Sequence, residues 1–230
     1  MQILERLPRE TGRDYALRNI KHNIVHLELA PGSQISENEL AAEMGLSRTP
    51  VREALIELSR VKIVTIRPQK RTTVSMIDYE LVDESRFVRN LLECAVAELA
   101  CAMAAPQDIR RLRENVRLQK FYLESYYPDS LMELDNAFHA LLFEIARKMQ
   151  AYHMIQGIAI HFDRVRNMAL SSVKNLKIVD DHEALVDAIE AHDAPRAREL
   201  MERHLNRYRI DEEALRATYP QYFPESEKEN

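Results

Sequence analysis

Strand-forming sequence is confined to one short stretch of this chain. Residues 63–67 (IVTIR) and 72–75 (TTVS) are rich in β-branched side chains, and residues 68–71 (PQKR) interrupt them where a turn is needed. From Asp78 onward the pattern does not recur. Apolar residues return there at three- and four-residue intervals, the period of a helix with one buried face. A 230-residue chain with so little strand and only four glycines is confined to a mainly α fold. Six helices are expected in its longer part, over residues 79–104, 106–125, 129–148, 150–171, 177–192 and 195–217. Pro106 and Pro195 stand where helices begin, and Asp193 is suited to cap the last of them.

Three further helices are expected before the strands. Residues 14–28 carry Leu17, Ile20, Ile24, Val25 and Leu27 at helical spacing, and Pro31-Gly32 ends the run. Ser36 and Glu39 form a capping-box pattern that opens a second helix to Met44. Gly45 permits a sharp turn, and Ser47 is placed to cap a third helix, with Pro50 in its first turn, ending near Arg60. Arg48 and Arg52, one turn apart, share the front of that helix, while Val51, Leu55 and Leu58 form an apolar back. Three helices followed by a basic hairpin describe a winged helix-turn-helix. The expected organisation is therefore a winged domain over residues 1–76, an all-α bundle over 77–218 and a frayed tail over 219–230.

Charge agrees with this division. Residues 1–76 hold 12 Lys and Arg against 9 Asp and Glu, and the remainder holds 20 against 28, for a net charge of −5. A basic front and an acidic back fit a nucleic-acid module joined to a domain with another task. No apolar run reaches the roughly 20 residues that span a bilayer, and the charged N-terminus lacks a secretory pattern. The expectation is a cytoplasmic protein without a membrane partner. Cys94 and Cys101, seven apart on one helix, are read as buried thiols because that spacing does not suit a disulfide.

A recognition helix needs donors at its N-terminal front and apolar anchors behind. Arginine bonds a guanine edge with two hydrogen bonds or clamps a phosphate. Ser47, Arg48, Thr49 and Arg52 are the candidate DNA contacts, with Lys70 and Arg71 at the wing tip. The segments "LAPG", "SENELA", "GLSRTPVREAL" and "IVTIRP" occur here in the order found in the N-terminal domain of GntR-family bacterial transcription regulators, which residues 12–76 closely resemble. The resemblance implies that Ser47, Arg48, Thr49 and Arg52 occupy DNA-contact positions. Three features depart from the family pattern: Asn38 replaces a frequent arginine, Lys62 replaces a common glycine, and the wing tip lacks its usual glycine.

A second constellation lies in the helical part. Asp135 and His139 are four apart, on one helix face, a spacing at which two groups can share one metal ion. His182 lies 11 residues before Asp193 and His204 lies 11 after it. At about 1.5 Å per residue both sit roughly 16 Å from the turn, so antiparallel packing brings them level. Histidines 22, 26, 153, 161 and 192 are assigned structural or surface roles, with His161 a candidate to face a cavity. The four-residue set resembles that of the FCD effector domain, the helical sensor of the FadR-like branch of the family, over residues 79–217. The resemblance implies a divalent metal held by Asp135, His139, His182 and His204. Three imidazoles and a carboxylate suit Zn, Ni, Mn or Fe without choosing among them. An organic acid can bind such a metal at one end while Arg89, Arg164 or Arg166 pairs with its other end.

The resulting expectation is a ligand-responsive transcriptional repressor. It would act as a homodimer on a palindromic double-stranded operator, with binding modulated by a small carboxylic acid at the metal site. A DNA-binding regulator with a metal-free or empty pocket is the alternative. A metalloenzyme is disfavoured: the sequence has no His-Glu-x-x-His pair, glycine-rich phosphate loop or Gly-x-Ser-x-Gly elbow.

Overall fold

The computed structural model describes residues 1–67, 71–172, 177–207 and 212–224. They divide into two compact units, Met1–Val82 with the C-terminal residues from Ala214, and Asp83–Glu213.

In the first unit, α1 (Gly12–Val25), α2 (Glu37–Met44) and α3 (Arg48–Arg60) enclose a core that includes Ile20, Ile24, Val51 and Leu55. Thr11 caps α1 by accepting from the Asp14 amide. Ser36 and Ser47 occupy the N-cap positions of α2 and α3, but neither hydroxyl makes the expected cap bond. Gly45, at φ 65°, ends α2 in the left-handed conformation that glycine adopts without a Cβ clash. The wing strands β2 (Val64–Thr65) and β3 (Thr72–Val74) pair antiparallel, Val64 opposite Val74. A third strand, β1 (Gln34–Ile35), pairs with the other edge of β3, giving the order β1-β3-β2. The expected hairpin is thus a three-stranded sheet. Two residues are too few to show alternation, so this strand carried no periodic signal. The turn before it is held by Gly32 N–H donating to Val74 O and Val74 N–H donating to Ser33 O, each 2.9 Å.

Residues 219–224, expected to fray, instead pack on this unit. Phe223 is buried and stacks on Tyr79 at 5.7 Å, and the Arg216 guanidinium lies within 5.0 Å of both ring centres. The Ile77 amide donates to Tyr222 O at 2.8 Å. These contacts also hold α11 (Glu212–Thr218), whose Leu215 is buried. Residues 225–230 lie outside the described residues.

Among its described residues the second unit has helices as its regular elements: α4 (Tyr79–Met103), whose first turn begins in the other unit, then α5 (Pro106–Glu124), α6 (Pro128–Ile145), α7 (Met149–Ile158), α8 (Ile160–Ser172), α9 (Ile178–Glu190) and α10 (Ala194–Asn206). The helix expected over 150–171 is two, parted at Ala159. The helix expected over 195–217 stops at Asn206 before α11 begins. Both proline starts hold, and the Asp193 carboxylate accepts from the Arg196 amide as its cap. Helix α5 packs against α6 and α9, and α9 against α10. Cys94 and Cys101 are buried free thiols.

Candidate DNA-reading face and buried histidine centre

Helix α3 has a buried back and an exposed front. Val51, Ala54, Leu55 and Leu58 anchor its back in the core. Ser47, Arg48, Thr49 and Arg52 are exposed at its N-terminal front. Arg48 donates to Glu37 at 3.2 Å but keeps two thirds of its side chain in solvent. Arg71 is exposed where β3 begins. Lys70 lies outside the described residues.

The second site is internal. Helix α6 carries Asp135 and His139, α9 carries His182, and α10 carries His204. All four are buried, and one donor atom from each lies within 4.8 Å of the others. The α9–α10 hairpin about Asp193 levels its two histidines as the residue count demanded. His182 Nε2 lies 3.3 Å from His204 Nε2, which lies 3.3 Å from His139 Nε2. Asp135 Oδ2 is 3.8 Å from His139 Nε2, and Asp135 Oδ1 is 3.7 Å from His182 Nε2. Phe138 stacks on the His182 ring at 4.1 Å and 19°.

Each of these side chains is held from behind. Arg166 binds Asp135 Oδ2 and also donates to Asp163 at 3.0 Å and Asn136 at 2.8 Å. Glu93 Oε2 approaches His139 Nδ1 to 2.5 Å, and its Oε1 accepts from Arg89 Nε at 2.6 Å. The Arg89 guanidinium lies over the Phe162 ring at 5.1 Å. Buried Asp181 is 3.9 Å from His204 Nδ1 and accepts from Arg203 and Arg207, each at 2.8 Å. Gln119 Oε1 is 2.8 Å from His182 Nδ1. Burial alone would raise the pKa of Asp135, but the Arg166 charge and the nearby histidines reverse this and hold it ionised well below the usual carboxylate range. Glu93 is likewise depressed, its burial outweighed by Arg89 and His139. Desolvation drives His182 down to about 3 and His204 well below its ordinary value, so both are neutral with a lone pair to offer at pH 7.

The donor set fits a divalent metal. With bonds of about 2.1 Å, donors at 90–109° stand roughly 3.0–3.4 Å apart, and two Nε2 separations of 3.3 Å match that spacing. Asp135 Oδ1 is buried without a hydrogen-bond partner on the side facing His182. A buried carboxylate oxygen left so is costly unless a cation takes it.

Among the expected effector contacts, Arg89, Arg164 and Arg166 are all buried. Arg89 and Arg166 surround the centre, each with a carboxylate of the protein itself as partner. Arg164 lies on α8 with Nη2 at 3.5 Å from His161 Nδ1. Glu93, Gln119 and Asp181 were not among the expected site residues. A signal existed for Gln119: with Leu112 and Val116 it occupies the buried stripe of α5, where an unexplained amide needs a partner. A groove of about 660 Å³, lined by residues such as Ile109, Arg113, Ile189 and His192, is separate from this centre.

Comparison with known proteins agrees with both halves. Residues 14–74 match the bacterial regulatory proteins, gntR family, and residues 84–207 match the FCD domain. The HTH-type transcriptional repressor RspR of Escherichia coli is 31% identical over 219 residues, covering 95% of this chain and 96% of that protein. A regulator from an unstable DNA locus of Streptomyces ambofaciens is 34% identical, covering 94% and 90%. Among solved structures, Escherichia coli McbR/YncC superposes with a TM-score of 0.78 at 21% identity, covering 91% of this chain and 99% of that one. A regulator from Rhodococcus sp. RHA1 gives 0.71 at 18% identity, covering 90% and 98%.

Proposed function

The chain belongs to the gntR family of bacterial regulatory proteins and carries an FCD domain, and from that premise we propose how this DNA-binding transcriptional regulator is controlled. It is a cytoplasmic repressor whose operator affinity is set by a small carboxylic acid bound at a divalent metal. Asp135, His139, His182 and His204 hold the metal, which when bound supplies a Lewis-acidic point for a carboxylate. Arg89, Arg164 and Arg166 supply the cationic surroundings for the acid. The observation that carries this reading is the convergence of three Nε2 atoms and the unpartnered Asp135 oxygen in one buried centre.

Ser47, Arg48, Thr49 and Arg52 read the major groove, with Lys70 and Arg71 on the adjoining backbone or minor groove. The reader works as a homodimer on a palindromic operator. Support for a second copy comes from α4, where Phe87, Leu91, Leu99 and Met103 are 62%, 53%, 37% and 38% exposed. With exposed Ala95 they form an unbroken ridge at four-residue spacing. The ridge is symmetric in size about Ala95, so an antiparallel copy would set Phe87 near Met103, Leu91 near Leu99, and the two small residues at the twofold axis. Glu93 lies on the same helix and touches His139, so a shift of the centre acts on the dimer helix. Effector binding changes operator affinity only as far as it favours one arrangement of the dimer.

The test is metal analysis of protein purified without chelator or affinity metal, alongside a His182→Ala/His204→Ala variant, followed by operator titration with added carboxylates. About one metal per chain in the parent and none in the variant, with operator affinity moved by a carboxylate only in the parent, is the expected result. A parent that takes up no metal after soaking defeats the metal assignment. Operator affinity insensitive to every chelating acid defeats the proposed control.

A further inference from the structure

A neutral histidine can offer a metal only the nitrogen that does not carry its proton, so something must decide which nitrogen that is. At His182 the surrounding bonds decide it without ambiguity. Asn115 Nδ2 lies 3.1 Å from the Leu134 carbonyl oxygen, which only accepts, so this end of the Asn115 amide is its NH2 group. Its other end, Oδ1, must then accept, and its neighbour at 2.6 Å is the Gln119 amide, which therefore presents Nε2. This leaves Gln119 Oε1 facing His182 Nδ1 at 2.8 Å. An oxygen there accepts only, so Nδ1 carries the proton and Nε2 keeps its lone pair. Rotating the Gln119 amide would set two oxygens against each other at 2.6 Å. Rotating Asn115 as well would turn an oxygen onto the Leu134 carbonyl.

We propose that Gln119, locked by Asn115 and the Leu134 carbonyl, is a positioning residue that fixes the Nδ1–H tautomer of His182 and so aims the Nε2 lone pair at His139 and His204. Backbone geometry on α6, the helix that carries Asp135 and His139, is thereby transmitted through two amides on α5 to a ring on α9. Gln119 and His182 are both fully buried, so water does not compete for the bond. The consequence for metal affinity rests on the metal reading above; the tautomer does not.

The experiment is long-range proton–nitrogen correlation of the His182 ring in ¹⁵N-labelled, metal-stripped protein, with a Zn²⁺ titration of the same samples. Parent, Gln119→Met and Gln119→Glu are compared. The parent should show a single Nδ1–H tautomer. Gln119→Met keeps the volume but removes the acceptor; it should mix the tautomers and weaken Zn²⁺ binding by about 10- to 100-fold. Gln119→Glu, held as the neutral acid by burial and by the facing Asn115 oxygen, donates its O–H to Asn115 Oδ1 and keeps an acceptor at Nδ1, and should recover the parent tautomer with most of the affinity. A parent whose proton sits on Nε2 overturns the proposal even if every variant fails to fold, and so does a folded Gln119→Met protein with the parent tautomer. A parent that binds no Zn²⁺ while Gln119→Met still loses the tautomer removes the metal reading and leaves the role of Gln119 standing.

Discussion

Lys62→Gly should stabilise the DNA-reading unit. Lys62 follows the end of α3 with φ at 59°, in the left-handed region where a Cβ crowds the carbonyl oxygen. Its amide donates to Ser59 O at 3.0 Å and the Ile63 amide to Leu58 O at 3.1 Å, the two bonds of a Schellman cap. Buried Ile63 and Leu58 supply the apolar contact that accompanies such caps. The cap holds the conformation in place, and an L residue there costs roughly 1–2 kcal/mol. Glycine removes that cost but gives back about 0.4–1 kcal/mol through a freer unfolded chain. The net gain is about 0.5–1 kcal/mol, and the exposed lysine side chain loses little. Amide exchange in peptides from α3 through β2 should slow by about two- to fivefold, as follows from roughly 1.4 kcal/mol per factor of ten. Lys62→Ala is the control: it removes the charge but keeps the Cβ, and should show no gain. Unchanged exchange in Lys62→Gly, or equal gains in both variants, would refute the backbone argument.

Other perturbations separate the remaining assignments. Arg52→Ala should cost about 1–3 kcal/mol of operator affinity while sparing random DNA if Arg52 reads a base edge; equal weakening on both in a competition titration marks a phosphate contact instead. Ala95→Glu puts a charge at the centre of the α4 ridge and should convert a dimer to a monomer in sedimentation velocity, whereas an unchanged dimer moves the interface elsewhere. Burial pushes the Cys94 and Cys101 thiols up to about 11, so the reactive thiolate is scarce below that pH. Alkylation at pH 8 should be at least about a hundredfold slower in the folded protein than in urea; comparable rates would contradict their burial.

The winged domain was legible because its logic is local. The Gly45 turn, the apolar row Val51, Leu55 and Leu58, and the arginines opposite it all lie within a few helical turns. The histidine centre was legible for a different reason: helices are rigid rulers, so equal counts on either side of Asp193 leveled His182 with His204. What escaped depended on partners remote in sequence. Glu93 has meaning only beside His139, and Gln119 only beside His182, 63 residues on. Asp181 resembles any solvated acid until α10 brings Arg203 and Arg207 to it. The break at Ala159 escaped because apolar spacing continues across it, and strand β1 because its partner is β3, nearly forty residues away.

The packing of Tyr222 and Phe223 on Ile77 and Tyr79 alters what counts as a removable part of this protein. The polypeptide leaves the DNA-reading unit after Val82 and returns at Ala214, so the sensor is spliced into its reader as an insert with two seams. A single proteolytic nick at either seam leaves the halves on one covalent thread through the other. A fragment stopped at residue 82 lacks the aromatic plug that covers Tyr79 and should be less stable than its parent unit. Exchange of sensors between such regulators therefore calls for two junctions, one on each side of the insert, with the closing segment 214–224 kept beside the reader it seals.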